Sequence, residues 1–156
     1  MKRVIVLSFV ICLILTWSGS WGYKPMSNSI DVSFENGQHI NVEVANTLGT
    51  MRNGLMFRED LGTMEGMIFM FEREDLYAIW MKNMRFSIDV IWLDEDLRIV
   101  HIEEDAPPCE NGACPSYLPE VPAKYVLEVE SGFVEQNGIA IGERVSLNRP
   151  VANTLF

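Results

Sequence analysis

The chain has few of the side chains that enzymes most often use for catalysis or metal binding. In 156 residues there are only two histidines, His39 and His101, and three cysteines. The sequence also has no Gly-x-Ser-x-Gly turn, no phosphate-binding glycine loop and no helix with two histidines at metal-binding spacing. These absences argue against the common hydrolase, nucleotide-binding and metalloprotease classes. We therefore predict neither a cofactor nor a metal site, and enzymatic activity is not favoured.

Positive charge is also scarce. Twelve Lys and Arg residues face 22 Asp and Glu residues, which gives a formal net charge of −10. Because an acidic surface repels phosphate groups, we expect no nucleic-acid partner and no adhesion to anionic lipid. The apolar fraction of 48% is sufficient for a hydrophobic core, so the length and composition predict one folded domain with a leader.

The N-terminus has the pattern of an export signal. Lys2 and Arg3 precede an apolar run over residues 4–17, and small residues end at Ser20. This run is shorter than the roughly 18–20 apolar residues of a spanning helix, so we predict a signal peptide at residues 1–20. An uncleaved anchor is the alternative, because alanine is absent near the expected cleavage site, and it would be the chain's only membrane contact. The expected location is periplasmic, secreted or on the cell surface.

Two of the cysteines lie outside this leader. Cys109 and Cys114 flank an Asn111-Gly112 turn signal and have prolines on both sides. An even pair in an exported chain predicts a structural disulfide. Four residues separate the two cysteines, whereas a thioredoxin-type site has two, so a redox or metal role and free thiols are the less favoured alternatives.

The rest of the sequence predicts a mostly β fold. Residues 21–29 are predicted as a linker, residues 30–149 as a single β-rich domain, and residues 150–156 as a tail. Residues 30–34 and 39–44 alternate around Asn36-Gly37, which is typical of a β-hairpin. Further strands are expected at 66–71, 76–81, 88–93, 98–103, 123–129 and 144–147, with a turn at 72–75. Short helices are expected after the capping residues Thr47 (to about Met56) and Ser131 (to about Gln136). We expect a compact antiparallel β-sandwich or barrel.

The best candidate site lies between two tryptophans, in the segment from Trp80 to Trp92. On a strand, Asp89 shares a face with Ile91 and Leu93 and is expected to be partly buried. A buried carboxylate needs a cation or hydrogen-bond donors, and Lys82 or Arg85 could provide the cation. The predicted ligand-binding residues are Trp80, Lys82, Asn83, Arg85, Asp89 and Trp92. A structural ion pair between loop and strand is the alternative interpretation.

Two other functions rest on weaker patterns. Met64, Met67 and Met70 are spaced by three residues, and thioethers favour Cu(I), as in a copper-handling protein. On a strand, however, this spacing places Met67 and Met70 on opposite faces, and methionine commonly fills hydrophobic cores. A hydrolase would require paired carboxylates, such as Asp89 with Glu128 or Glu103.

Several motifs together resemble the bacterial and archaeal family known as domain of unknown function 192. The resemblance covers about residues 30–147 in order. The matching motifs are Gly54-Leu55-Met56-Phe57-Arg58, Gly66-Met67-Ile68-Phe69, Trp80-Met81-Lys82-Asn83, Ile88-Asp89-Val90-Ile91, Cys114-Pro115-x-Tyr117, Tyr125-Val126-Leu127-Glu128 with Gly132, and Ile141-Gly142-Glu143.

The chain departs from the family pattern at three positions. Met84 stands where threonine is usual, Ser87 where proline is usual, and Glu143 where aspartate is usual. These changes affect ligand selectivity more than the fold. The resemblance implies a compact β-rich domain, often exported, without an established biochemical role. From the candidate residues we predict a non-enzymatic binding module of the cell envelope for a small or glycan-like ligand.

Overall fold

The computed structural model describes residues 28–109 and 114–148, in which strands dominate. The described residues form nine strands and two short helices, which confirms the prediction of a mostly β domain. The predicted leader (residues 1–20), the tail (150–156) and most of the predicted linker (21–29) lie outside the described residues. The elements are β1 (Ser29–Ser33), β2 (His39–Ala45), α1 (Leu48–Asn53), β3 (Glu65–Asp75), β4 (Ile79–Trp80), β5 (Ile88–Leu93), β6 (Ile99–Ala106), β7 (Ser116–Tyr117), β8 (Ala123–Glu130), α2 (Phe133–Asn137) and β9 (Ser146–Asn148).

Seven of the strands form one sheet in the order β6-β5-β8-β3-β2-β1-β9. This sheet is mixed rather than wholly antiparallel, because β2 and β3 run parallel. A parallel pair requires a connection that carries the chain back to the other end of the sheet, and α1 with its flanking loops provides it. The sheet is also not closed into a barrel. Among the described residues, its two edges are joined by an isolated bridge between Arg98 and Arg144, by backbone hydrogen bonds beside it and by a hydrogen bond from the Arg98 side chain to the Gly142 carbonyl.

Both faces of this sheet are covered by apolar side chains. The concave face holds Ile99 from one edge and Val145 from the other, together with Phe133 and Val134 of α2. The convex face holds Met67, Val90 and other residues, and it packs against the segment after α1 and against β4. Since apolar residues cover both faces, the interior strand β5 is buried along its whole length.

The helix α1 begins as the sequence predicts and ends earlier. Thr47 caps it, because its hydroxyl accepts a hydrogen bond from the Thr50 amide in a capping box. The helix was expected to reach Met56 and ends at Asn53. Gly54 terminates it with a φ of +48°, and a Cβ there would lie 3.2 Å from the ring of Phe69. The chain therefore leaves the helix directly above the convex face of the sheet.

Two of the predicted strands have different lengths in the structure. The turn predicted at 72–75 is wrong, because β3 continues to Asp75, which pairs with Ala123 after a shift in register. The strand predicted at 76–81 shortens to β4, which pairs with β7 in a separate two-stranded sheet. The prediction missed both because the pairing partners lie more than 35 residues away in the sequence. From the sequence alone, the charged residues at an exposed strand end have the same pattern as those of a turn.

Cys109 and Cys114 form the predicted disulfide, with their Cα atoms 4.8 Å apart. The amide of Cys109 donates a hydrogen bond to the Met81 carbonyl at 3.4 Å. Cys109 is thereby held just after the end of β4, beside the convex-face core.

Candidate functional site

Asp89 is fully buried and is satisfied by backbone amides. Its Oδ1 accepts hydrogen bonds from the amides of Asp105 (2.9 Å) and Gly132 (3.2 Å), and its Oδ2 accepts one from Val134 (2.9 Å). It lies on the concave face with Ile91 and Leu93, which confirms the predicted alternation of β5. Three amide donors offset the cost of burying the carboxylate, so Asp89 fixes the start of α2 against β5.

The predicted cations lie elsewhere. Arg85 pairs with Glu59, and the Nζ of Lys82 lies 5.0 Å from the ring centroid of Trp80, in a cation–π contact. In the part of the chain that the structure describes, no hydrogen bond or salt bridge joins Asp89 to either cation. The structural ion pair considered from the sequence is therefore not formed.

The other three predicted residues also separate. Asn83 has a φ of +57°, and its carbonyl accepts a hydrogen bond from the Phe57 amide at 2.9 Å. Trp80 is half exposed, whereas Trp92 is fully buried and donates its indole N–H to the Tyr77 carbonyl at 2.9 Å. One short segment, which begins at the end of β4, thus holds Trp80, Lys82, Asn83 and Arg85. Asp89 and Trp92 instead lie on opposite faces of the sheet. A ligand-binding role for these residues stays a prediction.

The geometry excludes the specific residue sets behind the two alternative functions. Asp89 is on the concave face, whereas Glu128 and Glu103 pair with Val90 and share its convex face, so neither forms a carboxylate pair with Asp89. Met67 packs on the convex face and Met70 on the concave face, so the expected methionine cluster does not form. In both cases the cause is the alternation of side chains along a strand.

A cavity of about 170 Å³ lies on the convex face, between the end of α1, residues 77–84 and the strands β3 and β8. We call it the Glu128 cavity, after the residue at its base. Its walls are aromatic, aliphatic and thioether groups. Its exposed lining residues, Arg52, Ala78 and Trp80, form what we call the mouth. The lining residues are Met51, Arg52, Gly54, Leu55, Met56, Phe69, Phe71, Tyr77, Ala78, Ile79, Trp80, Met81, Met84 and Glu128.

The carboxyl group of Glu128 is the main polar group inside this cavity. The residue is 5% exposed, and among the described residues no group donates a hydrogen bond to its carboxyl oxygens. Burial raises its pKa from 4.5 to about 8, and the positive charge of Arg58 opposes this shift. At neutral pH the cavity therefore has an uncharged carboxylic acid at its base, which can donate one hydrogen bond and accept others.

Arg58 is held beside Glu128 by a second glutamate. Glu43, Met67 and Glu128 are aligned across β2, β3 and β8, so their side chains share the convex face. Arg58 forms a two-point ion pair with Glu43, and this hydrogen bonding raises the pKa of Arg58. Because Glu43 already neutralises Arg58, Glu128 receives only part of its charge and stays protonated.

The described residues contain no candidate metal site and no candidate membrane-spanning helix. Over residues 28–109 and 114–148 there is no group of three or more His, Cys, Asp or Glu side chains arranged to hold a metal ion. Over the same residues, no helix is long and apolar enough to cross a membrane.

From the sequence, Glu128 was considered only as the second carboxylate of a hydrolase pair with Asp89, and the cavity was not predicted. A signal was present, because Val126, Leu127 and Val129 surround this one acidic residue within a buried strand. What the sequence does not give is the tertiary position of Tyr77–Met84 and of α1, which form the walls.

Comparison with known proteins identifies the family. The model of the family DUF192, described as "Uncharacterized ACR", matches residues 31–147. A UPF0127 protein from Pyrococcus furiosus is 32% identical over 68 residues, which are 44% of this chain and 53% of that protein, so the match spans about half of the relative's length.

Two solved structures are similar over most of the described residues. One, a protein of unknown function from Novosphingobium aromaticivorans, has a TM-score of 0.68 and 31% identity over 76% of this chain and 83% of its own. The other, from Sinorhizobium meliloti and described as a candidate transcription regulator, has a TM-score of 0.66 and 28% identity over 76% of this chain and 92% of its own.

Proposed function

The chain belongs to the DUF192 family, and we propose that it is a non-enzymatic binding protein whose small ligand enters the Glu128 cavity. The observation that supports this is the buried Glu128 carboxyl, which has no hydrogen-bond donor among the described residues. A hydrogen bond to such a cavity-facing carboxyl contributes about 0.5–1.5 kcal/mol. A ligand that hydrogen-bonds to this carboxyl would gain that free energy, and apolar walls around a few polar groups are typical of ligand sites.

The ligand in this proposal is smaller than the one expected from two flanking tryptophans. Trp92 is fully buried, so only Trp80 is available for stacking at the mouth. A cavity of about 170 Å³ is smaller than the roughly 300–1,000 Å³ of typical drug-sized sites. It suits a compact ligand, or one glycan unit, that packs on Trp80 and places a polar group against Glu128.

We further propose that the protein acts in the cell envelope. The basic residues Lys2 and Arg3, followed by an apolar run, support export and a role in the cell envelope. The Sinorhizobium relative is described as a candidate transcription regulator. We do not propose that role for this chain, because a net charge of −10 disfavours binding to DNA.

Benzamide provides a direct test, because it combines a flat apolar ring with one uncharged polar group. In a titration followed by NMR of the methionine methyl groups, we expect shifts at Met51, Met56, Met81 and Met84, which line the cavity. Met70, on the opposite face of the sheet, serves as the internal control. If no cavity methyl shifts with benzamide at millimolar concentration, the proposal is wrong.

Two pairs of variants make this test specific. Ala78→Trp fills the mouth and should abolish the shifts, whereas Ala140→Trp makes the same change at an exposed position outside the lining and should preserve them. Glu128→Leu should weaken benzamide about tenfold, because one hydrogen bond to a buried group is worth about 1.4 kcal/mol. The same variant should bind toluene at least as well as the natural protein does. Equal losses for both ligands would show that the carboxyl does not recognise the ligand.

A further inference from the structure

We propose that the natural ligand is a small organic anion, whose body fills the Glu128 cavity with an uncharged polar group against Glu128 and whose acidic group stays at the mouth beside Arg52 and Lys82. This inference rests on the proposed function and specifies the ligand class. It depends on how charge is distributed around the cavity, which runs against the net charge of −10 of the whole chain.

The mouth carries positive charge that no carboxylate neutralises. Arg52 is exposed and lines the cavity, and the Nζ of Lys82 lies 5.0 Å from the ring centroid of Trp80, another lining residue. Neither cation has a carboxylate within salt-bridge distance in the described parts of the chain. In contrast, the next arginine after each of these cations forms an ion pair. Arg58 pairs with Glu43, and Arg85 pairs with Glu59.

Among the described residues, three acidic groups near the cavity carry little free negative charge. The carboxylates of Glu43 and Glu59 are each engaged by an arginine. Glu128, at the base, is uncharged at neutral pH because of its burial. An anion approaching the mouth therefore meets two cations that have no carboxylate partner among the described residues, an aromatic ring and an uncharged interior. These conditions favour an acidic group outside and an uncharged group inside.

The same arrangement predicts how affinity depends on pH. Among the described residues, the charged or titratable groups near Glu128 are Arg58 after α1, Glu43 on β2, Glu65 on β3, Arg52 on α1 and Tyr77 before β4. The neighbouring positions on β3 and β5 are Met67 and Val90, which do not titrate. When the pH rises through about 8, Glu128 ionises inside the cavity. The affinity for an anion should then fall, whereas the affinity for a cation should rise.

Benzoate, benzamide and benzamidine test this inference, because they have nearly the same shape and carry negative, zero and positive charge. At pH 6.5 we expect benzoate to bind about fivefold more tightly than benzamide, since partly exposed charge pairs contribute about 0.2–1 kcal/mol each. Benzamidine should bind most weakly. The advantage of benzoate should shrink in high salt, because salt screens exposed charges.

Matched variants locate the charge effect at the mouth. The double variant Arg52→Gln with Lys82→Gln should reduce the ratio of benzoate affinity to benzamide affinity to nearly one. The double variant Arg98→Gln with Arg144→Gln is the control for total charge, because it also removes two positive charges and both residues are exposed and lie away from the cavity lining. Between pH 6 and 9, benzoate should lose affinity in the natural protein but not in Glu128→Gln.

Each outcome decides between the two proposals. Equal affinities for benzoate and benzamide, or a preference for benzamidine, would overturn the anion inference while benzamide binding still supports the binding function. An unchanged benzoate preference in the double variant of Arg52 and Lys82 would also overturn it, because the acid would then not lie at the mouth. If none of the three compounds binds, both proposals fail.

Discussion

Replacing Glu128 by glutamine should remove a large pH-dependent loss of stability. The ordinary pKa of 4.5 applies in the unfolded chain, whereas burial raises the folded-state pKa to about 8. Between these values the folded protein retains a proton that the unfolded chain has released. The free energy of unfolding therefore falls by up to about 1.4 kcal/mol per pH unit over this range and levels off above it.

From pH 5 to pH 8 this amounts to about 3–4 kcal/mol, an upper limit because the denatured state and local solvent also adjust. Glutamine has nearly the shape of the protonated acid and does not titrate. The difference in stability between Glu128→Gln and the natural protein should therefore grow with pH and level off above about pH 8. Urea unfolding without ligand, followed by tryptophan fluorescence, measures this difference at each pH.

Glu130→Gln provides the matched control, because Glu130 is exposed at the end of the same strand. Its difference from the natural protein should stay nearly constant across the same pH range. If the Glu128→Gln difference is equally flat, Glu128 is ionised or solvated in the folded protein. The reasoning from burial would then be refuted, and the neutral interior of the cavity with it.

Three other substitutions test separate parts of the structure by the same urea method. Asp89→Ala should lower the free energy of unfolding by about 3–5 kcal/mol, because three buried amides lose their acceptor; a loss below about 1 kcal/mol would contradict this role. Arg58→Gln should move the pH dependence of Glu128 to higher pH, because the arginine charge lowers that pKa, and a downward move would show that the charge does not act on Glu128. Gly66→Ala should cost about 1–3 kcal/mol, because its Cβ would lie 2.7 Å from the Glu128 carbonyl oxygen; no loss would mean that β8 moves freely away from β3.

Local chemistry made several elements predictable. The hairpin of β1 and β2 follows from alternation around Asn36-Gly37, and the start of α1 follows from the capping ability of Thr47. The face of Asp89 on β5 also followed from alternation, which predicted partial burial where the structure shows complete burial. These features depend on neighbours within a few residues, so the pattern of the sequence contains them.

The candidate site was less predictable, because its parts come from distant segments. The sequence grouped Trp80 to Trp92 by proximity along the chain, yet Asp89 turns to the concave face and binds amides that lie up to 45 residues away. The parallel pairing of β2 with β3 and the pairing of β4 with β7 are likewise long-range contacts. No local pattern distinguishes them from other pairings of equally apolar segments.

By itself the sequence determined the strand-rich character of the domain, its acidity, the disulfide between Cys109 and Cys114, and the family. It did so because alternation, charge and motif spacing are properties of order along the chain. Only the tertiary structure decided that Glu128 lies at the base of a cavity and that Asp89 does not. Burial of a carboxyl, and hence its pKa and its ability to meet a ligand, depends on which distant segments cover the strand.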